Sequence, residues 1–198
     1  MNKLFTFGCS YTFGAGLRNP KKDCWPVVLS SYINYSSINM AKSGASNDYI
    51  VDSILKNLNQ ITSNDLVIVM MTWPNRKLIY DYDLNEIKNI HPNSDTKTAK
   101  NFYKHIHHEY LGILNFFQNY NAIQHLLRNK NFYITFTDIK FILKQQQYNL
   151  KITKDDNVII PPDLAFSNLL VDGSNDDCHP DEQGHIKIAN FLFEHITV

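Results

Sequence analysis

The chain has 198 residues, of which 43% are hydrophobic and 13% aromatic, enough to build the core of one domain of ordinary size. Its 19 basic and 19 acidic residues give a formal net charge of +0, which argues against a nucleic-acid binder that works through a large basic patch. No stretch reaches the roughly 18 unbroken apolar residues of a membrane span, and Met1-Asn2-Lys3 runs straight into a strand-like segment with no secretory pattern, so a cytoplasmic protein is expected.

In chain order, strand-like and helix-like segments alternate, the pattern of a parallel sheet with helices on its faces. Residues 4–8 read as a first strand. Residues 25–33 read as a short helix, with Asp23 as its candidate cap and Pro26 tolerated in its first turn. Residues 36–41 are a second strand. In residues 47–58 the apolar positions Ile50, Val51, Ile54, Leu55 and Leu58 follow helical spacing. Leu66-Val67-Ile68-Val69-Met70-Met71 is a continuous apolar run, as expected of a central strand buried on both faces. Residues 73–98 are polar, contain Pro74 and Pro92, and read as a long irregular connection, which in a compact domain points to function. Residues 101–128 read as one long helix, breakable near Gly112, and residues 132–137 as another strand. A short strand around Val158-Ile159-Ile160 and a turn at Pro161-Pro162 are expected within 148–166. Residues 181–195 form a final amphipathic helix.

Two segments carry the candidate chemistry. Ser10 stands in Gly8-Cys9-Ser10-Tyr11-Thr12-Phe13-Gly14, just beyond the first strand, where open α/β sheets bind ligands. A serine hydroxyl is a poor nucleophile without a neighbouring base. Asp176-Asp177-Cys178-His179-Pro180 supplies that chemistry near the other end: His179 as base, Asp176 three residues earlier as its orienting carboxylate, and Pro180 holding His179 extended. Asp172 and Asp177 are rival carboxylates. The oxyanion needs preorganised donors. The candidates are the Ser10 amide, the Gly44 amide after the second strand, and the Asn75 carboxamide in Thr72-Trp73-Pro74-Asn75-Arg76. In that last loop Trp73 could stack on a sugar face, and Arg76 could bind an anionic or carbohydrate group.

Other groupings are weaker. Cys9, Cys24 and Cys178 are too few and odd in number for a disulfide framework, and they are expected reduced. Cys9 and Cys178 flank the two candidate segments, so a redox pair, or a metal with His179, was an alternative without a recognised spacing. His105 and His108 would share a helix face, but no third ligand completes a zinc pattern. No Gly-rich phosphate loop is present, and neither cofactor nor metal is expected. The aromatics Phe102, Tyr103, Tyr110, Phe116, Phe117 and Tyr120 read as core or lid.

With these residues in place, the sequence resembles the SGNH/GDSL hydrolase superfamily over nearly its whole length. Gly8-Cys9-Ser10 matches the first block, with Cys9 where an acidic residue is usual. Asn39 through Asn47, including Gly44, matches the second. Asp176 and His179 match the last. The third block departs: Met71-Thr72-Trp73 gives no asparagine where Gly-x-Asn is typical, Asn75 comes two positions late after a proline, and Trp73 and Arg76 mark a variant loop. The resemblance implies a flavodoxin-like three-layer α/β/α sandwich spanning 1–198 as one domain. It also implies an esterase that cleaves small acyl groups, for instance acetyl esters of carbohydrate, through an acyl-enzyme on Ser10. Acyl transfer to a sugar or alcohol, and a catalytically silent module that binds a glycan or protein, are the rival readings. No nucleic-acid or membrane partner is expected.

Overall fold

The computed structural model describes residues 1–82, 84–140, 152, 157–166 and 179–197. Strands β1 (Lys3–Phe7), β2 (Ser36–Asn39), β3 (Leu66–Met71), β4 (Lys77–Asp81), β5 (Glu86–Ile90) and β6 (Asn131–Phe136) form two sheets. The main sheet is parallel, in the order β2-β1-β3-β6. A parallel bridge between Ile134 and Val158 extends it beyond β6, where the sequence places a short strand.

Alternation along the strands explains the layers. Each β3 side chain is buried, and successive ones point to opposite faces. Val67, Val69 and Met71 join Phe5, Phe7, Ile134 and Phe136 in one core, against α4 (Asn47–Asn57) and α6 (Glu109–Leu127). Leu66, Ile68 and Met70 join Leu4 and Tyr133 in the other, against α3 (Trp25–Tyr32) and α7 (Glu182–His195). Each fully buried aliphatic or aromatic side chain contributes about 1.5–3 kcal/mol. These two faces make the expected α/β/α sandwich, with Phe116, Phe117 and Tyr120 of the aromatic stretch in the first core.

Several local expectations change. Asp23 does not cap α3. It ends the short helix α2 (Pro20–Asp23), and Cys24 occupies the capping position without a side-chain bond. The irregular connection after β3 is largely the antiparallel hairpin β4–β5, followed by α5 (Lys97–His105). Asn85 turns the hairpin at φ 54, a conformation that asparagine tolerates better than most residues. The long helix is two helices, broken at 106–108 rather than at Gly112. His108 starts the second by accepting the Tyr110 amide on Nδ1 at 3.2 Å. His105 therefore ends one helix and His108 caps the next, so they do not share the face that a zinc pair needs. Gly112 instead packs inside α6, where a Cβ would sit 3.0 Å from the Pro74 carbonyl oxygen.

Because β1 has β2 on one side and β3 on the other, the chain reverses its winding direction at β1. The carboxyl edge there is the topological switch point, the usual ligand crevice of an open α/β sheet.

Candidate functional site

Ser10 begins α1 (Ser10–Phe13), a single turn that folds back over the end of β1. Gly8 makes that fold possible: a Cβ there would lie 2.2 Å from Thr12 Oγ1 and 2.8 Å from Thr12 Cβ. The Cys9 carbonyl accepts the Thr12 and Phe13 amides at 3.0 and 2.9 Å. Cys9 itself is fully buried, with Sγ 3.7 Å from Thr137 Oγ1, which in turn donates to the Met71 carbonyl at 3.2 Å. The residue that replaces the usual acid thus packs as a small apolar group between strand ends.

Ser10 is 3% exposed. Among the described residues its hydroxyl touches only Cys9 Sγ, at 4.0 Å, so it is not locked into a structural hydrogen bond. His179 arrives at the same edge from the far end of the chain. Its ring centroid lies 5.9 Å from that of Tyr11, and its Cβ would be 3.3 Å from a Cβ on Gly16. Gly16 has φ +88, so glycine is required there both for backbone and for the His179 approach. No hydrogen bond joins Ser10 to His179 among the described residues. The Tyr11 ring packs against His179, and catalytic hydrogen bonds often tighten only when substrate binds. Asp172, Asp176, Asp177 and Cys178 lie outside the described residues.

Gly44 closes the turn after β2, with the Ala45 amide donating to the Lys42 carbonyl at 3.1 Å. Its φ is +75, and no atom lies within 4 Å of where a Cβ would be, so this side of its backbone is open. The Lys42 amide donates to the Gly8 carbonyl at 3.2 Å, which ties this turn to the Ser10 segment.

The loop after β3 is held by Asn47, which the sequence placed in the second block, and by Asn89, which it did not single out. Asn47, 2% exposed, donates through Nδ2 to the Thr72 carbonyl and accepts the Thr72 amide on Oδ1, both at 2.9 Å. Asn89 on β5 accepts the Ser46 amide and hydroxyl at 2.9 and 2.8 Å. Asn47 opens α4, while Asn89 sits inside β5, where no local signal marks it. Trp73 packs edge-to-face on Tyr11 at 6.0 Å, and the Arg76 guanidinium stacks over Trp73 at 4.7 Å. Arg76 Nη1 donates to the Ala45 carbonyl at 3.3 Å, bridging the second and third loops. The Asn75 carbonyl takes the Tyr103 hydroxyl at 2.6 Å, while its carboxamide has no hydrogen bond among the described residues. Ser10, His179, Trp73, Asn75, Arg76 and Gly44 are therefore gathered at one sheet edge by segments from across the chain.

Burial raises the Tyr103 phenol to about 12, with Arg76 pulling the other way. Burial lowers His91, and Arg76 lowers it further; burial also lowers His107. Beneath His179, His185 is fully buried, accepts the Trp25 amide on Nδ1 at 3.1 Å, and is held neutral, its pKa down to about 4, chiefly by burial. Among the described residues no cluster of histidine, cysteine and carboxylate could hold a metal, and no helix is long and apolar enough to cross a membrane.

No protein-family model matches the sequence, and no curated protein does. Solved structures do match. One is described as a lipolytic protein of the G-D-S-L family from Desulfitobacterium hafniense DCB-2, with 14% identity, a TM-score of 0.57, and coverage of 99% of this chain and 100% of that one. A psychrotrophic esterase, EstA from Pseudoalteromonas sp., matches at 12% identity and a TM-score of 0.54 over 98% of this chain and 96% of that one. A family two carbohydrate esterase from Clostridium thermocellum, in complex with cellohexaose, matches at 12% and 0.52 over 98% of this chain and 63% of that one. With its parallel sheet, its two helical layers and Ser10 at the switch point, the chain has the fold of the SGNH hydrolases.

Proposed function

We propose that the protein is an SGNH-type serine esterase. The observation that carries this reading is the convergence of Ser10 and His179 around Tyr11 at the switch point, with the serine hydroxyl uncommitted. In the proposed reaction Ser10 Oγ attacks the ester carbonyl as its proton passes to His179. His179 then protonates the leaving alcohol, giving an acyl-enzyme on Ser10. Water, deprotonated by His179, attacks that acyl group, and the acid leaves as Ser10 takes its proton back. Asp176 orients His179. The Ser10 and Gly44 amides, with the Asn75 carboxamide, hold the oxyanion. Gly44 suits this role because its backbone faces open space. Trp73 and Arg76 line the substrate side. Small acyl esters of carbohydrate are the substrate class that the carbohydrate-esterase neighbours favour.

A fluorophosphonate probe tests the proposal. Labelling that Ser10→Ala and His179→Ala both abolish is the expected result, while unlabelled but folded protein would refute it. That second outcome belongs to a silent binding module, a reading favoured by the lack of a direct Ser10–His179 hydrogen bond.

A further inference from the structure

The loop after β3 holds a guanidinium that no acid neutralises among the described residues. The ion pairs among the described residues are Lys56–Asp52, Lys77–Asp48, Lys88–Glu86 and Lys100–Asp95, and Arg76 is in none of them. The acid closest in sequence to the second loop, Asp48, is already occupied. It takes Lys77 Nζ at 3.3 Å, the Leu78 amide at 3.2 Å and Asn119 Nδ2 at 3.0 Å. Lys42, also at the carboxyl edge, lies over the Tyr49 ring at 5.3 Å and likewise has no acid partner among the described residues. Burial pushes His91 and His107 both toward the neutral form.

Arg76 is half-buried and fixed in direction. One face lies on Trp73, and Nη1 points to the Ala45 carbonyl. A guanidinium has five N–H donors in a planar fork, and among the described residues this one spends a single donor on protein. A half-desolvated cation with unspent, preoriented donors is matched best by a carboxylate, which takes two parallel hydrogen bonds from the fork. Trp73 touches Tyr11, which follows Ser10 in the chain and packs against His179, so such a carboxylate would belong to the molecule whose ester meets Ser10.

We infer that Arg76 forms a carboxylate subsite, so that the preferred substrates are esters of molecules that also carry a free carboxylate. This rests on the esterase reading above and narrows its substrate class.

The test uses a matched pair, 4-acetoxybenzoate and its methyl ester, with rates normalised to their hydroxide-catalysed hydrolysis. The intact protein should favour the anionic ester in kcat/KM by roughly tenfold or more, the discrimination expected of hydrogen bonds to a charged group. Arg76→Gln should bring the ratio to about one, mainly through KM for the anionic ester, and Arg76→Lys should keep part of it. A ratio near one in the unmutated protein would overturn the inference. So would an Arg76→Gln variant that slows both esters in proportion, because Arg76 would then only brace the Gly44 turn through Ala45. If neither ester is cleaved, it is the esterase reading that fails. Titration with benzoate then decides the subsite: binding lost in Arg76→Gln upholds it, and equal or absent binding in both proteins refutes it.

Discussion

His185 makes the stability of this fold depend on pH in a calculable way. Its ring is fully buried, its Nδ1 accepts the Trp25 amide at 3.1 Å, and its Nε2 has no partner. Burial is the main reason why its pKa falls to about 4. Asp181 opposes the shift and His179 reinforces it. In the unfolded chain the same ring titrates near 6.5. Between these values the unfolded state holds a proton that the folded state refuses, so folding stability is complete above pH 6.5 and is lost as pH falls toward 4. The interval from 6.5 to about 4, at about 1.4 kcal/mol per pH unit, amounts to about 3.5 kcal/mol at full titration, of which about 2 kcal/mol is gone at pH 5 and about 3 kcal/mol at pH 4. That is a large share of the 5–15 kcal/mol of a typical domain. Urea unfolding at pH 7.5, 6, 5 and 4, for the unmutated protein and His185→Asn, would measure it. The asparagine carbonyl can still accept the Trp25 amide but does not titrate. His185→Asn should be the less stable protein at pH 7.5, and the gap should close by about 3 kcal/mol toward pH 4. Parallel pH profiles for the two proteins would refute the burial argument, because all other titrating groups are common to both.

Gly44→Ala meets no steric obstacle but must hold φ +75, so it should cost about 1–2 kcal/mol in thermal unfolding while lowering kcat more than KM. An unchanged kcat would remove Gly44 from the oxyanion site. Asn47→Leu strands the buried Thr72 amide and carbonyl and should cost about 2–4 kcal/mol in chemical denaturation; a loss under 1 kcal/mol would mean that the loop after β3 is held elsewhere. Gly8→Ala forces its new Cβ against Thr12, 2.2 Å from Oγ1, and should cost about 1–3 kcal/mol. The double variant Gly8→Ala/Thr12→Ser should not recover that loss, because Oγ remains, whereas Gly8→Ala/Thr12→Ala should recover part of it.

The main sheet was legible because period and burial coincide. The run 66–71 has no polar residue, and only a strand covered on both faces can bury all six side chains. The final helix was legible for a similar reason: apolar spacing continues through it, and Asp181 caps its start by accepting the Gly184 amide at 2.8 Å. The β4–β5 hairpin was not legible. Its strands have only five residues each, mix charge with apolar residues, and owe their position to distant anchors such as Asn89 on Ser46. The break between α5 and α6 was hidden because residues 101–128 keep a helix-like composition across it, and the capping role of His108 depends on its ring reaching back to Tyr110.

The same division runs through the site. Local chemistry along the chain determined which residue types could act: a serine after a strand, a histidine before a proline, and a glycine where the backbone turns to φ +75. What those residues meet is a matter of long-range geometry. Only the tertiary structure placed Trp73 on Tyr11, set Arg76 between Trp73 and the Ala45 carbonyl, and filled Asp48 with Lys77 and Asn119, leaving Arg76 with no acid partner among the described residues. The physical reason is that residue type and periodicity act over a few positions of chain. Which charge is neutralised, and which hydroxyl stays uncommitted among the described residues, depends on groups brought together from distant parts of the chain.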